Sequence, residues 1–187
     1  MILARPAKGD SYEILLVERK ARDGSQFLNA HVFPGGQVEA SDGGNLRRSA
    51  LRELYEEASL YLRPTSDPHL ITPETVDVNT SQTSYPQFLQ SITADSAESA
   101  LIPYSRWITP KMMPKRFDTT FFLALSTPTD HRPAGKVDGQ EIKSLAWFTP
   151  SDALNQFSDG KITLFPPQWY VSGICWHCVT IGTYYLI

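Results

Sequence analysis

The chain has 187 residues, enough for one domain with a real core, and its 41% hydrophobic and 20% charged content is that of an ordinary globular fold. A net charge of −3 argues against non-specific nucleic-acid binding, which needs a basic face. MILARPAKGD shows no basic segment leading into a long apolar core, and no S-K-L stands at the other end. The expected location is therefore intracellular, cytoplasmic by default, with peroxisome and mitochondrion left open.

In chain order, Ile2-Leu3 and the apolar run Ile14 to Val17 predict two strands able to pair as a hairpin. His31-Val32-Phe33 predicts a third short strand that feeds Pro34-Gly35-Gly36, a bend in which missing side chains let backbone approach a metal or phosphate. Next comes a helix. Leu46, Ala50, Leu54 and Ala58 recur every four residues and form an apolar stripe. Glu53, Glu56 and Glu57 share a flank of that helix, where three like charges weaken it unless a divalent cation neutralises them. Taken alone, such a cluster reads equally as a solvated face. No G-K-[ST] phosphate loop and no G-x-G-x-x-G is present, so phosphate held through metal fits better than phosphate held by backbone.

Residues 64 to 105 contain no Lys or Arg and are rich in Ser, Thr and Pro, which reads as an insertion forming a partly ordered lobe over one edge. Within it, Tyr85, Phe88, Leu89 and Ile92 have helical spacing. Phe121 to Leu125 predicts a central strand, preceded by the basic residues Lys111, Lys115 and Arg116, a candidate phosphate clamp. GQEIKSLAWFTP predicts a strand that ends at a helix start, with Ser151 or Asp152 as the cap. KITLFPPQWY offers a last strand or extended edge. Residues 171 to 187 form an uncharged apolar tail, expected as a strand-like or poorly packed end; its hydroxyls, His177 and lack of flanking basic residues disfavour a membrane anchor. Cys175 and Cys178 make C-W-H-C without the context of a redox or zinc site, so two inert thiols are expected.

The ordered set Phe33-Pro34-Gly35-Gly36, then Arg52-Glu53-Leu54-x-Glu56-Glu57 with Leu60, resembles the box of the Nudix hydrolases, G-x5-E-x7-R-E-U-x-E-E-x-G-U. Asp42 stands at the first Glu, nine residues rather than seven separate it from Arg52, and Ser59 replaces the last Gly. Gly43-Gly44 fits a small bulge that takes up the longer spacing. AHVFPGG, together with W-I-T-P before K-R-F-D-T-x-F-F, is similar to the branch of coenzyme A and acyl-coenzyme A diphosphatases and their fungal relatives.

The resemblance implies an α/β fold, a Nudix-type α/β/α sandwich with a mixed β-sheet, over residues 1–170. It implies a hydrolase that cleaves the diphosphate of a nucleoside diphosphate linked to another moiety. Coenzyme A or acyl-coenzyme A is favoured, giving 3′,5′-ADP and (acyl-)4′-phosphopantetheine; ADP-ribose, NADH and dinucleotide polyphosphates stay open. The implied cofactor is Mg²⁺ or Mn²⁺, held by Glu53, Glu56, Glu57 and the Gly36 carbonyl. Arg52 would pair with an acid, Asp42 by the box pattern. Glu141 would be the general base, with Asp138 as competitor, while Gly35, Gly36, Lys115 and Arg116 would bind substrate. The implied partner is a small-molecule nucleoside-diphosphate substrate; the net charge argues for no nucleic acid, and a membrane is not expected. The rival reading is a Nudix-fold module that binds a nucleotide or protein without turnover.

Overall fold

The computed structural model describes residues 1–8, 11–20, 30–77, 79–92, 96–128, 135–137 and 141–179, with side chains to residue 173 in the last segment. Strands β1 (Ile2–Pro6) and β2 (Tyr12–Arg19) form the expected antiparallel hairpin, with Ala4 opposite Ile14. β3 (Ala30–Val32) follows, then a 3-10 turn at Ala40–Asp42 and helix α1 (Leu46–Ala58). β4 (Leu60–Pro64), β5 (Leu70–Thr75), α2 (Tyr85–Ile92), β6 (Ile102–Ile108) and β7 (Asp118–Ser126) come next. The chain continues with β8 (Ile142–Phe148), α3 (Pro150–Ser158), β9 (Thr163–Leu164) and α4 (Pro166–Val179).

All nine strands belong to one mixed sheet, ordered β4-β5-β7-β1-β2-β3-β9, with β6 also on β7 and β8 also on β2. Both branch points are forks. β1 pairs with residues 12 to 14 of β2 and β3 with residues 17 and 18, while β8 lines the opposite edge from residue 14 to residue 19. The Pro34–Gly36 bend lies where β1 and β3 part, and the Met1 nitrogen donates to the Pro34 carbonyl.

Strand alternation divides the core into two layers. Leu3, Leu15, Phe122 and Ala124 face α1 and α2, while Ile2, Ile14, Leu16 and Phe121 face α3 and α4. This is the expected α/β/α sandwich. The buried side of α1 is rotated from the predicted stripe. Leu51, Leu54, Tyr55 and Ala58 are buried, and Leu46 is half-exposed because it stands in the first turn beyond the sheet.

Four expectations are corrected. The helical spacing in residues 64–105 is realised as α2, whose Tyr85 and Phe88 enter the core against Tyr55, but β5 pairs with β4 and β7, so the segment is part of the sheet rather than a partly ordered lobe over one edge. Thr149, not Ser151 or Asp152, caps α3, accepting from the Asp152 amide at 3.1 Å because Pro150 fixes the first helical position. The expected last strand shrinks to two residues, paired in parallel with β3, and the chain then turns helical at Pro166. The tail is helical to Val179 rather than strand-like; its remainder and the side chains of Cys175, His177 and Cys178 lie outside the described residues. Among the described residues no helix is long and apolar enough to cross a membrane.

Ser59 closes α1 at φ 48°, ψ 44°, with its amide donating to the Tyr55 carbonyl at 3.0 Å. Left-handed backbone costs a residue with a Cβ about 1 kcal/mol relative to glycine. Ser59→Gly is therefore expected to raise the thermal midpoint by a few degrees, about 1 kcal/mol in chemical denaturation. A drop in stability would show that the serine side chain, not the backbone, decides this position.

Candidate active site

Arg52 organises the acidic end of α1. Its side chain is only 4% exposed. Nε donates to Asp42 Oδ1 and Nη2 to Asp42 Oδ2, both at 3.0 Å, a bidentate pair. Nη2 also donates to the Gln37 carbonyl at 2.9 Å. Nη1 donates to Glu53 Oε1 at 3.0 Å and Glu56 Oε2 at 2.9 Å, and Glu39 Oε1 lies 3.7 Å away.

Asp42 stands there because of the 3-10 turn: it accepts from the Glu39 amide at 2.8 Å and from Ser49 Oγ at 2.7 Å. Burial opposes its ionisation, but hydrogen bonds from Arg52, Glu39 and Ser49 outweigh that and hold its pKa at about 2, against an ordinary 3.8. Gly43 and Gly44 follow at φ 61° and 77°, so the two extra residues of the spacing are taken up in left-handed backbone. Asn45 then caps α1, accepting from Arg47 and Arg48 amides at 3.0 and 3.4 Å.

Glu57 is the most buried of the three helix acids, with a side chain 7% exposed against 14% for Glu53 and 38% for Glu56. It accepts from the Gly35 amide at 2.9 Å and from Arg19 Nη1 at 3.4 Å. Burial raises its pKa to about 7, with the Glu53 charge adding to the effect and the Gly35 amide and Arg19 opposing it. Burial also raises Glu53 and Glu56, against the pull of Arg52. Gly36 lies against Glu53. A Cβ there would fall 2.4 Å from Glu53 Oε1, so any side chain displaces the carboxylate.

Glu141 comes from the far end of the chain to the same place. Its Oε2 is 3.3 Å from Arg19 Nη2, and its carbonyl accepts from the Lys20 amide at 2.8 Å. Arg19 is the residue that motif reading missed. Its only signal is alternation, which places it with Leu15 and Val17 on the α1 side of β2. Asp138 lies outside the described residues. Lys115 and Arg116 are not drawn into the acid cluster: Arg116 Nε donates to the Thr109 carbonyl at 3.0 Å, and Lys115 Nζ lies 5.2 Å from the Phe117 ring. The parallel pairing of Ile2 with Leu123 carries the start of β7 past the start of β1. Their hairpin, residues 109–117, thus overhangs the end of the sheet that bears the Pro34–Gly36 bend.

The residues fit a divalent cation. Glu39, Asp42, Glu53, Glu56, Glu57 and Glu141 outnumber the two guanidiniums, Arg52 and Arg19, that pair with them. Hard carboxylate and carbonyl oxygens suit Mg²⁺ or Mn²⁺. Among the described residues no three such side chains already converge on one point. Arg52 Nη1 is shared between Glu53 and Glu56, while Gly35 and Arg19 hold Glu57.

A family model described as the NUDT19 Nudix domain matches residues 44–173. The chain belongs to the Nudix hydrolase family. It is 32% identical over 151 residues to a nudix hydrolase 7 of Caenorhabditis elegans, covering 76% of this chain and 48% of that protein. The acyl-coenzyme A diphosphatase NUDT19 of Xenopus laevis is 26% identical over 232 residues, covering 88% of this chain and 60% of that one. The chain thus spans about half to three fifths of the length of these curated relatives. A crystal structure of a Nudix hydrolase from Alicyclobacillus acidocaldarius superposes with a TM-score of 0.71 at 22% identity, over 92% of this chain and 86% of that one. That likeness fixes the fold.

Asp42→Asn tests the Arg52 staple. A carboxyl whose folded pKa is depressed contributes stability above its unfolded value, lost as pH falls through the folded one. The wild type is expected to exceed the variant by roughly 2 kcal/mol above pH 4. The gap should close between about pH 4 and 2 in acid-denaturation curves. A gap independent of pH would mean that packing, not ionisation, ties the loop to the helix.

Proposed function

We propose that the chain hydrolyses the diphosphate of a nucleoside diphosphate linked to another group, with Mg²⁺ or Mn²⁺. The observation that carries this reading is a chain of contacts: Gly36 lies against Glu53, the Gly35 amide donates to Glu57, and Arg19 links Glu57 to Glu141. Glu53, Glu56, Glu57 and the Gly36 carbonyl would hold the cation. When bound, it neutralises the diphosphate and lowers the pKa of a water in its shell. Glu57 arrives largely as a carboxylate only above about pH 7 in the cation-free protein, so cation binding displaces a proton and tightens as pH rises. Glu141, 44% exposed and tied to Glu57 through Arg19, would take the proton of the attacking water. That water adds to phosphorus as the bridging P–O bond breaks, and the departing phosphate carries the charge.

A coenzyme A-type substrate, giving 3′,5′-ADP and (acyl-)4′-phosphopantetheine, is favoured by the names of the relatives. ADP-ribose stays in the comparison because a Nudix domain of similar fold, from Shewanella oneidensis NrtR, was crystallised with it. The second reading, a binding module without turnover, draws on the two arginines that already neutralise the helix acids.

A panel of coenzyme A, acetyl-coenzyme A, ADP-ribose, NADH and a dinucleotide polyphosphate, with either metal, is expected to show cleavage of the coenzyme A pair by mass spectrometry. Glu57→Gln should lower kcat by roughly 10³-fold, about 4 kcal/mol. Glu57 has a folded pKa raised from 4.5 to about 7, so its favourable contribution is lost as pH rises through that window. Without metal, Glu57→Gln should therefore be the more stable protein above pH 7. Glu141→Gln should lower kcat yet keep the Mg²⁺-induced rise in melting temperature. Saturable nucleotide binding with no product would establish the module instead.

Arg116 and Lys115, on the overhanging hairpin, are proposed to meet the substrate's 3′-phosphate. Arg116→Ala should raise KM for coenzyme A more than for dephospho-coenzyme A. Equal changes for both would remove the hairpin from phosphate recognition.

A further inference from the structure

The two arginines of the acidic site are held in opposite ways. Arg52 is buried and makes five contacts of 2.9 to 3.0 Å. Arg19 is 30% exposed and reaches its acids by one long contact each, 3.4 Å to Glu57 and 3.3 Å to Glu141. Arg19 and Glu141 are partly exposed, where attraction between charges is modest, and the contact with the buried Glu57 is long. The register of β2 against β8 shifts at Arg19, with Lys143 as the extra residue on β8, an irregularity common at the rim of a sheet. Its partners come from elements 38 and 122 residues away, so the chain has brought both acids to this one guanidinium.

We propose that Arg19 is an exchangeable counter-ion: it neutralises Glu57 and Glu141 before the cation binds, then turns its guanidinium to the substrate's diphosphate. The proposal rests on the metal-dependent hydrolase reading above. A divalent charge at Glu57 repels the guanidinium and replaces its attraction, while the arriving diphosphate offers paired oxygens that match its fork. Arg19 is thus a positioning residue for Glu57 and Glu141 in the empty site and a binding residue in the filled one. A merely structural ion pair would hold the ends of β2, α1 and β8 together in both states.

The two roles predict effects of opposite sign. Calorimetric titration of Mn²⁺ into substrate-free protein should show Arg19→Ala binding it about threefold more tightly, because a competing charge is gone. The same variant should raise KM for the cleaved substrate about tenfold with a smaller change in kcat. Arg19→Lys should keep wild-type Mn²⁺ affinity, since the charge still competes, and recover part of KM. In the wild type, the ¹⁵Nε resonance of Arg19 should move on adding Mg²⁺ alone and again on adding α,β-methylene-ADP, a check that needs no variant. Weaker Mn²⁺ binding together with raised KM in Arg19→Ala would make Arg19 a scaffold residue. Unchanged Mn²⁺ affinity with raised KM would leave substrate binding and overturn the exchange. Either result leaves the hydrolase reading intact, whereas a wild type that neither binds Mn²⁺ nor cleaves any diphosphate overturns both.

Discussion

The site depends on one buried guanidinium. Arg52 has five N–H donors, and five acceptors meet them: both Asp42 oxygens, the Gln37 carbonyl, Glu53 and Glu56. A lysine, with three donors on a point charge, would leave two acceptors unmet in a nearly dry setting. Buried ion pairs are weak sources of stability in general, because desolvation offsets the attraction. Here the pair fixes geometry. It ties the loop after the glycine bend to the helix that carries the acids, so Gly36 and Glu53 stay in contact.

That local knot becomes a site because of the sheet. β1 and β3 share one edge of β2 at different heights, and the bend fills the gap they leave. The Gly35 amide is thereby aimed at Glu57, the deepest acid. From the other edge of β2, β8 begins just after Glu141. Arg19, at the end of β2, reaches both Glu57 and Glu141. The branching of a mixed sheet thus gathers residues 19, 35, 57 and 141 at one rim.

Much of this was legible because local chemistry and global position agree. The glycine bend and the acidic helix are contiguous in sequence, and their spacing already demands one compact loop-helix unit. The departures at Asp42 and Ser59 were also readable as changes of backbone: Gly43, Gly44 and Ser59 all adopt left-handed conformations. Arg19 was not legible, since an arginine at a strand end looks like any solvated charge until β8 delivers Glu141. Residues 64–105 misled for a different reason. Their Ser, Thr and Pro content is that of a loop, yet β5 is stabilised by pairing with β4 and β7, a tertiary effect that composition does not carry. The uncharged chain end misled in the same way, because Pro166 at a helix start outweighs the strand-like residues around it.

The same segment explains why the acids can be placed so closely. Tyr55, on the helix face opposite the solvent, packs on Tyr85 and Phe88 of α2, and its hydroxyl donates to the Thr83 carbonyl at 2.9 Å. At the start of α1, Glu98 accepts from Asn45 Nδ2 at 2.5 Å and Arg48 Nε at 3.0 Å. At its end, the Lys136 amide donates to the Ala58 carbonyl at 2.8 Å, and the Val76 amide to that of Ser59 at 2.9 Å. Like charges on one flank push an isolated helix toward fraying. Fastened at both termini and along its apolar face, α1 cannot relieve the repulsion by unwinding, and burial first, with neighbouring carboxylates adding to it, raises the carboxyl pKa values. A cation held there, as proposed, would gain affinity from a repulsion that the rest of the fold has already borne.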